Sequence, residues 1–236
     1  MSETRSADIG KRAAAEAAVG FVRDGMALGL GTGSTVAFVL DALARRIRAE
    51  GLRIHGVPTS ERTADRANAL GIPLTELATV PELDLAIDGA DEVACGSLHL
   101  IKGHGGALLR EKIVATSARR FLVVVDESKV VARLGTHMSI PVEVVKFAHA
   151  ATARRLERLA GQAILRTGPD GKPYVTDNGN LIYDVQCRGP IEDAAALERA
   201  FDAIVGVVEN GLFTSGVERA IVGAADGSVR TLTPGD

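Results

Sequence analysis

Apolar runs alternate with helical patterns at the start of the chain. An Ala-rich segment predicts a helix over Ala7–Arg23 that Asp24-Gly25 ends, and the run Met26–Leu30 predicts a buried strand. After a glycine-rich loop, apolar residues recur with the spacing of one helix face at Val36, Val39, Leu40, Leu43 and Ile47. These positions predict a strand–loop–helix unit.

The alternation continues to about residue 125. The further predicted elements are strand Ile54–Val57, helix Ser60–Leu70, strand Ile72–Leu74, strand Leu83–Ile87, strand Leu98–Lys102, a helix from Ala107 to Ala118 and strand Phe121–Val125. Strands that alternate with helices predict an α/β fold with a mostly parallel sheet. We expect a Rossmann-like domain of three layers, with its ligand outside the carboxyl ends of the strands.

The pattern changes after Asp126. The predicted elements there are strand Val142–Val145, helix Ala148–Leu159, strand Ala163–Arg166, strand Leu181–Gln186, helix Asp193–Ile204 and a strand at Val207–Glu209. This β-α-β-β-α-β order predicts a small ferredoxin-like α+β domain. A final hairpin, Ala220–Gly223 with Val229–Leu232, is expected to return to the first domain. The predicted division is 1–135 plus 210–236 for the catalytic domain and 136–209 for the small one.

Composition narrows the possible functions. Hydrophobic residues make up 46% and charged residues 24% of the 236 residues, as in globular proteins. The net charge is -3, aromatic residues are 3% and Trp is absent, which argues against a nucleic-acid partner. No apolar run is long enough to cross a membrane. Cys95 and Cys187 lack metal-ligand spacing, and Met1–Lys11 does not resemble a secretory signal, so we expect a soluble cytoplasmic protein.

The first candidate loop is Gly29–Thr35, with the sequence GLGTGST. Its glycines allow an anion to approach the backbone, and the following helix N-terminus and the hydroxyl groups suit a phosphate. A tight turn without a ligand is the alternative. A dinucleotide site would need a glycine at Ser34 and an acidic residue after strand Ile54–Val57, and a Walker loop would need a lysine. A phosphate monoester fits the loop better than either cofactor.

The second candidate loop follows an apolar strand and contains Asp88, Asp91 and Glu92. Crowded carboxyl groups raise one another's pKa, which suits proton transfer at sugar hydroxyls. A divalent metal is a further possibility, but no His or additional carboxylate nearby has ligand spacing, so no metal is predicted. A polar turn held by Asp88 and Asp91 is the structural alternative.

The third candidate segment runs from Lys102 to Lys112. Lys102 could stabilise a developing oxyanion, and the glycines around His104 allow close approach of a ligand. Glu111 could face the pocket, although Arg110-Glu111-Lys112 also resembles an ordinary charged helix face. His104 could be an acid or base, or only a solvated loop residue. Lys129, after strand Phe121–Val125, marks a fourth loop at the same edge.

Taken together, these loops resemble the ribose-5-phosphate isomerase A family. The resemblance rests on ordered segments that span almost the whole chain: GLGTGST at 29–35, DLAIDGADEV at 84–93, LIKGHGGALLREKIVA at 100–115, DESK at 126–129, PVEVV at 141–145, TDNGN at 176–180 and GLF at 211–213. Each segment alone is weakly specific, but the ordered set is highly specific.

The resemblance implies interconversion of D-ribose 5-phosphate and D-ribulose 5-phosphate, in the non-oxidative pentose phosphate pathway, without a metal or organic cofactor. Glu111 corresponds to the family's catalytic base. The substrate-contacting segments correspond to Thr32, Gly33, Ser34, Thr35, Asp88, Gly89, Ala90, Asp91, Lys102, Gly103, His104, Gly105 and Lys129. The family typically has KGGG where this chain has His104 in the third position. A homodimer or higher homo-oligomer is also implied.

The expected mechanism moves a proton between C2 and C1 through an enediolate. Glu111 would transfer the proton, Lys102 would stabilise the enediolate oxygen, and Asp88 and Asp91 would bind hydroxyls and help to open the furanose ring. The phosphate could lie at Gly31–Thr35 or be bound by Lys102 and Lys129 from the opposite side. Three alternative functions remain: a non-catalytic sugar-phosphate sensor, a coenzyme A transferase-like enzyme with Glu111 as nucleophile, and an amino-sugar-phosphate isomerase/deaminase.

Overall fold

The computed structural model describes residues 3–80 and 82–236, and it contains six helices and fourteen strands in this part of the chain. The helices are α1 (Glu3–Val19), α2 (Ser34–Glu50), α3 (Glu61–Ala69), α4 (Leu108–Thr116), α5 (His149–Leu159) and α6 (Ala194–Asp202). The strands are β1 (Ala27–Leu30), β2 (His55–Pro58), β3 (Leu85–Asp88), β4 (Glu92–Ala94), β5 (Leu100–Ile101), β6 (Phe121–Asp126), β7 (Val130–Val131), β8 (Ile140–Val144), β9 (Gly161–Leu165), β10 (Leu181–Cys187), β11 (Val207–Asn210), β12 (Leu212–Phe213), β13 (Val217–Gly223) and β14 (Val229–Leu232).

The central sheet has six strands in the order β14-β13-β6-β3-β1-β2. Every pair is parallel except the hairpin of β13 with β14, so the predicted α/β class is confirmed and the hairpin does return to this sheet. Successive residues of β6 face opposite sides, as the strand period requires. Leu122 and Val124 pack with α1 and α2, while Val123 and Val125 pack with α4. Helices therefore cover both faces.

The second half of the chain forms the small sheet β11-β8-β10-β9. All its pairs are antiparallel, and α5 and α6 supply the two helices of the predicted β-α-β-β-α-β order. Its core contains Val142, Leu156, Val185 and Phe201, each fully buried. No helix in the described residues is both long and apolar enough to cross a bilayer.

The prediction that Leu98–Lys102 is a strand of the parallel sheet is wrong. Only β5 forms there, and it pairs antiparallel with β4 and β12 in a third sheet of order β12-β5-β4-β7. The chain makes this sheet because β4 begins directly after the Asp88–Asp91 loop and leaves the parallel layer. Asp91 N–H donates to Ile101 O at 2.8 Å, and Lys102 N–H donates to Gly211 O at 2.8 Å. These bonds bring the third candidate segment beside the second.

Two other predicted elements differ from the structure. Helix α1 ends at Val19 rather than Arg23, because the chain turns at Gly20, whose carbonyl accepts a bond from the Arg23 side chain. The predicted strand Ile72–Leu74 is reduced to a single bridge between Leu74 and Gly56. Pro73 has no N–H to donate to a ladder, which limits this segment to that bridge.

Candidate active site

One pocket opens where β1, β3 and the 102–106 loop meet. Its cavity volume is about 140 Å³, which is below the roughly 300–1,000 Å³ of drug-sized sites and suits a small metabolite. The lining consists mainly of residues from the four predicted loops: Lys11, Thr32, Gly33, Ser34, Thr35, Gly89, Ala90, Asp91, Lys102, Gly103, Gly105, Glu111 and Lys129. Asp88 lies beneath this lining, and His104 is directed elsewhere.

The glycine-rich loop joins β1 to α2 along one wall of the pocket. Gly31 has to be glycine, because a Cβ there would collide with the carboxyl group of Asp88. Gly33 has a φ of 121° and precedes the first turn of α2. Among residues 3–80 and 82–236, no side chain caps this helix end, so its first N–H groups and the Ser34 hydroxyl are available to an anion.

The Thr32 side chain belongs to a buried cluster of hydroxyl groups behind the loop. Its Oγ1 lies 2.8 Å from both Thr59 Oγ1 and Ser60 Oγ, and 3.2 Å from Thr63 Oγ1. Thr63 Oγ1 in turn donates to Gly31 O at 2.8 Å. Thr32 therefore lines the pocket while its hydroxyl fixes the shape of the loop.

Lys102 connects the two buried carboxyl groups of the site. Its Nζ lies 2.9 Å from Asp88 Oδ2 and 3.4 Å from Glu111 Oε2, and it donates to Gly89 O at 2.6 Å. The side chains of Lys102, Asp88 and Glu111 are 2%, 5% and 4% exposed. Asp88 Oδ1 accepts the N–H groups of Thr32 at 3.0 Å and Gly89 at 2.7 Å. Both Asp88 oxygens are therefore engaged below the pocket floor.

Glu111 is the carboxyl group of this cluster that can accept further hydrogen bonds. Within the described residues, its Oε2 has no hydrogen-bond partner of good geometry. Burial, assisted by the charges of Asp88 and Asp91 and opposed by Lys102, raises the pKa of Glu111 to about 8. Burial lowers the pKa of Lys102, but the carboxylates of Asp88 and Glu111 outweigh that effect and raise it overall. At neutral pH the site therefore holds a charged Lys102 beside Glu111, whose pKa is near enough to the pH for it to act as an acid or a base.

The side chain of Asp91 is hydrogen-bonded to the backbone of His104. Asp91 is half-buried and lines the pocket, and its Oδ2 accepts the N–H of His104 at 3.0 Å. The His104 ring points the other way, with Nε2 at 3.0 Å from Ser139 O. The structure thus brings the His104 backbone to the site but not its imidazole.

Two lysines complete the pocket. Lys129 was predicted from its position after β6, where it belongs to a short 3₁₀ turn over Glu127–Lys129. Lys11 of α1 also lines the pocket, although the sequence did not indicate it. Its signal was weak, because a lysine on an Ala-rich amphipathic helix usually lies on a solvated face. Within the part of the chain that the structure describes, no three His, Cys, Asp or Glu side chains are grouped as metal ligands would be.

The chain is similar to known proteins over nearly its whole length. A family model described as "Ribose 5-phosphate isomerase A (phosphoriboisomerase A)" matches residues 55–227. The ribose-5-phosphate isomerase A of a Synechococcus strain is 54% identical over 222 residues, covering 94% of this chain and 96% of that protein.

Solved structures give the same result. The ribose 5-phosphate isomerase A of Methanocaldococcus jannaschii superposes with a TM-score of 0.90 at 45% identity, covering 94% of this chain and 97% of that one. A D-ribose-5-phosphate isomerase solved in complex with phospho-erythronic acid superposes with a TM-score of 0.92 at 38% identity, covering 99% and 100%.

Proposed function

We propose a mechanism for this chain from the premise that it belongs to the ribose 5-phosphate isomerase A family and interconverts D-ribose 5-phosphate and D-ribulose 5-phosphate. In this mechanism Glu111 is the base that carries the proton between C2 and C1. The observation that supports this role most directly is a buried carboxyl group that lines the pocket and whose Oε2, within the described residues, has the 3.4 Å ion pair with Lys102 but no well-formed hydrogen bond. A general base works best when its pKa lies near the operating pH, and the value of about 8 meets that condition.

Lys102 stabilises the oxygen that becomes negatively charged in the enediolate. Its ammonium group is 3.4 Å from Glu111 Oε2, so a substrate carbon placed near the carboxylate would have its oxygen near the cation. Asp88 acts through Lys102, which it fixes by the 2.9 Å ion pair. The phospho-erythronic acid bound by a related isomerase is an anionic sugar-acid phosphate, and such a molecule fits a pocket of this charge pattern.

Asp91 binds the ring hydroxyls and assists opening of the furanose. Of the two aspartates, it lines the pocket and keeps carboxylate capacity beyond the His104 N–H, whereas Asp88 is enclosed by its three partners. Gly89, Ala90, Gly103 and Gly105 supply the neighbouring backbone wall. This assignment divides the two roles that the sequence left undivided.

The substrate phosphate lies at the N-terminus of α2. Ser34 and Thr35 contribute their N–H and hydroxyl groups, and Lys11 and Lys129 contribute positive charge to the same pocket. Lys102 is bound by two carboxyl groups and a carbonyl in the floor, so it is less suited to the phosphate. The C1–C2 end of the substrate therefore faces Glu111.

Replacement of Glu111 by Gln tests the mechanism. We expect kcat to fall by about 10²–10⁴-fold, because one general base is lost while the shape of the side chain is kept. Ribulose formation from ribose 5-phosphate, measured with a chelator present, gives the rate. Glu76→Gln, an exposed carboxylate outside the pocket, is the matched control and should retain full activity.

Near-normal turnover of Glu111→Gln would show that Glu111 is not the base. Two further substrates separate the alternatives. Exchange with coenzyme A esters and a thioester at Glu111 would indicate a transferase, and ammonia release from glucosamine 6-phosphate would indicate a deaminase. Neither is expected.

We also propose a cytoplasmic homodimer or higher homo-oligomer with the domain division predicted above. Phe147 and Val205 are 88% and 80% exposed, and the bond from Val145 N–H to Gly206 O at 3.0 Å brings their segments together, so that a second copy of the chain could cover both. Both thiols are free, which suits a reducing compartment. Cell fractionation tests the proposed cytoplasmic location.

The small sheet lies within 140–210, which supports domain boundaries near residues 136 and 209. Limited proteolysis should cut the chain near these two boundaries. Residues 1, 2 and 81 of the larger domain lie outside the described residues.

A further inference from the structure

The two residues on either side of Glu111 are both bound to the small domain. Successive residues of a helix point about 100° apart, so Arg110 and Lys112 lie on opposite flanks of Glu111 on α4. Each is a cation, and each meets a separate part of the chain between residues 140 and 210. The mechanism above, on which this inference rests, uses neither of them.

Arg110 is held by the turn over residues 176–180. Its Nε donates to Asn178 Oδ1 at 3.0 Å and its Nη2 donates to Asp177 O at 3.1 Å. Asp177 also reaches α3, where its Oδ2 accepts the N–H of Glu61 at 2.9 Å. Two directed bonds from one planar guanidinium fix its orientation as well as its position.

The turn itself is anchored on a buried carboxylate of β8. Glu143 is 0% exposed, and its Oε1 accepts Thr176 Oγ1 at 2.9 Å, Asn178 Nδ2 at 3.3 Å and Asn180 Nδ2 at 2.9 Å. Burying a carboxylate is costly unless donors surround it, so the turn is fixed to the small sheet by its side chains. The TDNGN segment, which the mechanism leaves without a role, supplies these donors.

Lys112 is held on the other flank. Its Nζ lies 2.8 Å from Glu198 Oε1 on α6 and 2.7 Å from Glu209 Oε1 on β11. It also lies 4.9 Å from the ring centroid of Phe213. All three charged side chains are 15–18% exposed, so solvent screens this cluster less than a surface pair.

We infer that Arg110 and Lys112 are positioning residues, through which the small domain holds α4 from two sides and sets the position of Glu111 over the reacting carbons. A displacement of about 1 Å at a base can lower a rate by up to roughly 100-fold, so this control is large enough to matter. The small domain thereby takes part in the proton transfer without touching the substrate.

Arg110→Gln and Lys112→Gln test the inference. We expect each to lower kcat by about tenfold while KM for ribose 5-phosphate stays within about twofold, since the substrate contacts are unchanged. The primary isotope effect on kcat with substrate deuterated at C2 should rise, because proton transfer becomes slower than the other steps. Arg110→Lys and Lys112→Arg keep the charge and should recover part of kcat.

Arg120→Gln is the matched control. Arg120 pairs with Glu218 at 2.6 Å, is 36% exposed against 33% for Arg110, and lies outside the pocket lining. It should lower the unfolding temperature without changing kcat or the isotope effect. Asn178→Ala removes an acceptor of Arg110 from the small domain side and leaves Arg110 in place. If Arg110→Gln folds too poorly to be assayed, Asn178→Ala should show the same lower kcat and higher isotope effect.

Failure of the positioning inference can be distinguished from failure of the base assignment. If Glu111→Gln is inactive but Arg110→Gln, Lys112→Gln and Asn178→Ala all match Arg120→Gln, the positioning inference is overturned and the base assignment stands. If Glu111→Gln remains active, the base assignment itself fails. A loss of kcat in proportion to the unfolded fraction, with an unchanged isotope effect, would also overturn the inference.

Discussion

The Glu111 carboxyl group lies 3.4 Å from Lys102 Nζ and is 4% exposed, in a helix whose neighbouring residues look solvated by sequence. Periodicity could not predict that burial. The segment Arg110-Glu111-Lys112 has the composition of a surface face, yet Glu111 faces Lys102, and its two neighbours are hydrogen-bonded to partners in distant parts of the chain. Those partners are 67 to 97 residues away in sequence, so no local pattern contains them.

The raised pKa of Glu111 predicts the pH dependence of the reaction. A base must be ionised to accept a proton, and Glu111 ionises as the pH rises through about 8. The raised pKa of Lys102 keeps that residue charged over the same range. We therefore expect kcat/KM to rise from about pH 6 to pH 9 with an apparent pKa near 8, which belongs to the coupled cluster.

Initial rates at low ribose 5-phosphate concentration measure this profile. The residual activity of Glu111→Gln should lack the rise near pH 8, because Gln does not ionise. A wild-type profile that is flat between about pH 6 and pH 9, or a rise that persists in the Gln variant, would contradict the prediction.

Among the elements, α2 and α1 meet at the proposed phosphate site. The α2 N-terminus was foreseeable from GLGTGST, since glycines followed by hydroxyl residues at a helix start form an anion site. Lys11 was not foreseeable, because its approach to the pocket depends on how α1 packs on the sheet. That packing is set by contacts such as the close approach of Gly10 to Gly223.

We expect the loss of either Lys11 or Lys129 to lower the affinity for the substrate. Lys11→Met and Lys129→Met should each raise KM for ribose 5-phosphate by about tenfold with kcat changed less, because phosphate contacts stabilise substrate and transition state alike. Competition by inorganic phosphate should weaken in parallel. Lys146→Met, at an exposed lysine of the small domain, is the control. An unchanged KM for both pocket variants would move the phosphate elsewhere.

At the scale of the whole molecule, the sequence predicted both main sheets and the returning hairpin. Long periodic segments carried that prediction, and Ser60 and Asp193, at which two of the predicted helices begin, are observed as helix N-caps. The third sheet was missed because β4, β5, β7 and β12 have two or three residues each. A strand that short has no detectable period, and its pairing depends on partners far along the chain.

The exposed apolar residues lead to a prediction about assembly. We expect light scattering at micromolar concentration to give a mass of at least twice the 24.6 kDa of one chain. The physical reason is that Phe147 and Val205 would otherwise remain in water at 88% and 80% exposure. A single species at the mass of one chain would contradict the proposed oligomer.

The returning hairpin has a consequence for how the protein is made. Strand β13 lies between β6 and β14, and α1 packs closely against it at Gly10 and Gly223. A ribosome releases the N-terminal helix long before it releases residues 217–236. The nascent chain therefore carries an unpaired edge at β6 and an incompletely covered α1 until residues 217–232 have been released. The small antiparallel sheet is continuous in sequence between residues 140 and 210, so it can form before the central sheet that carries the Gly29–Thr35 loop is complete.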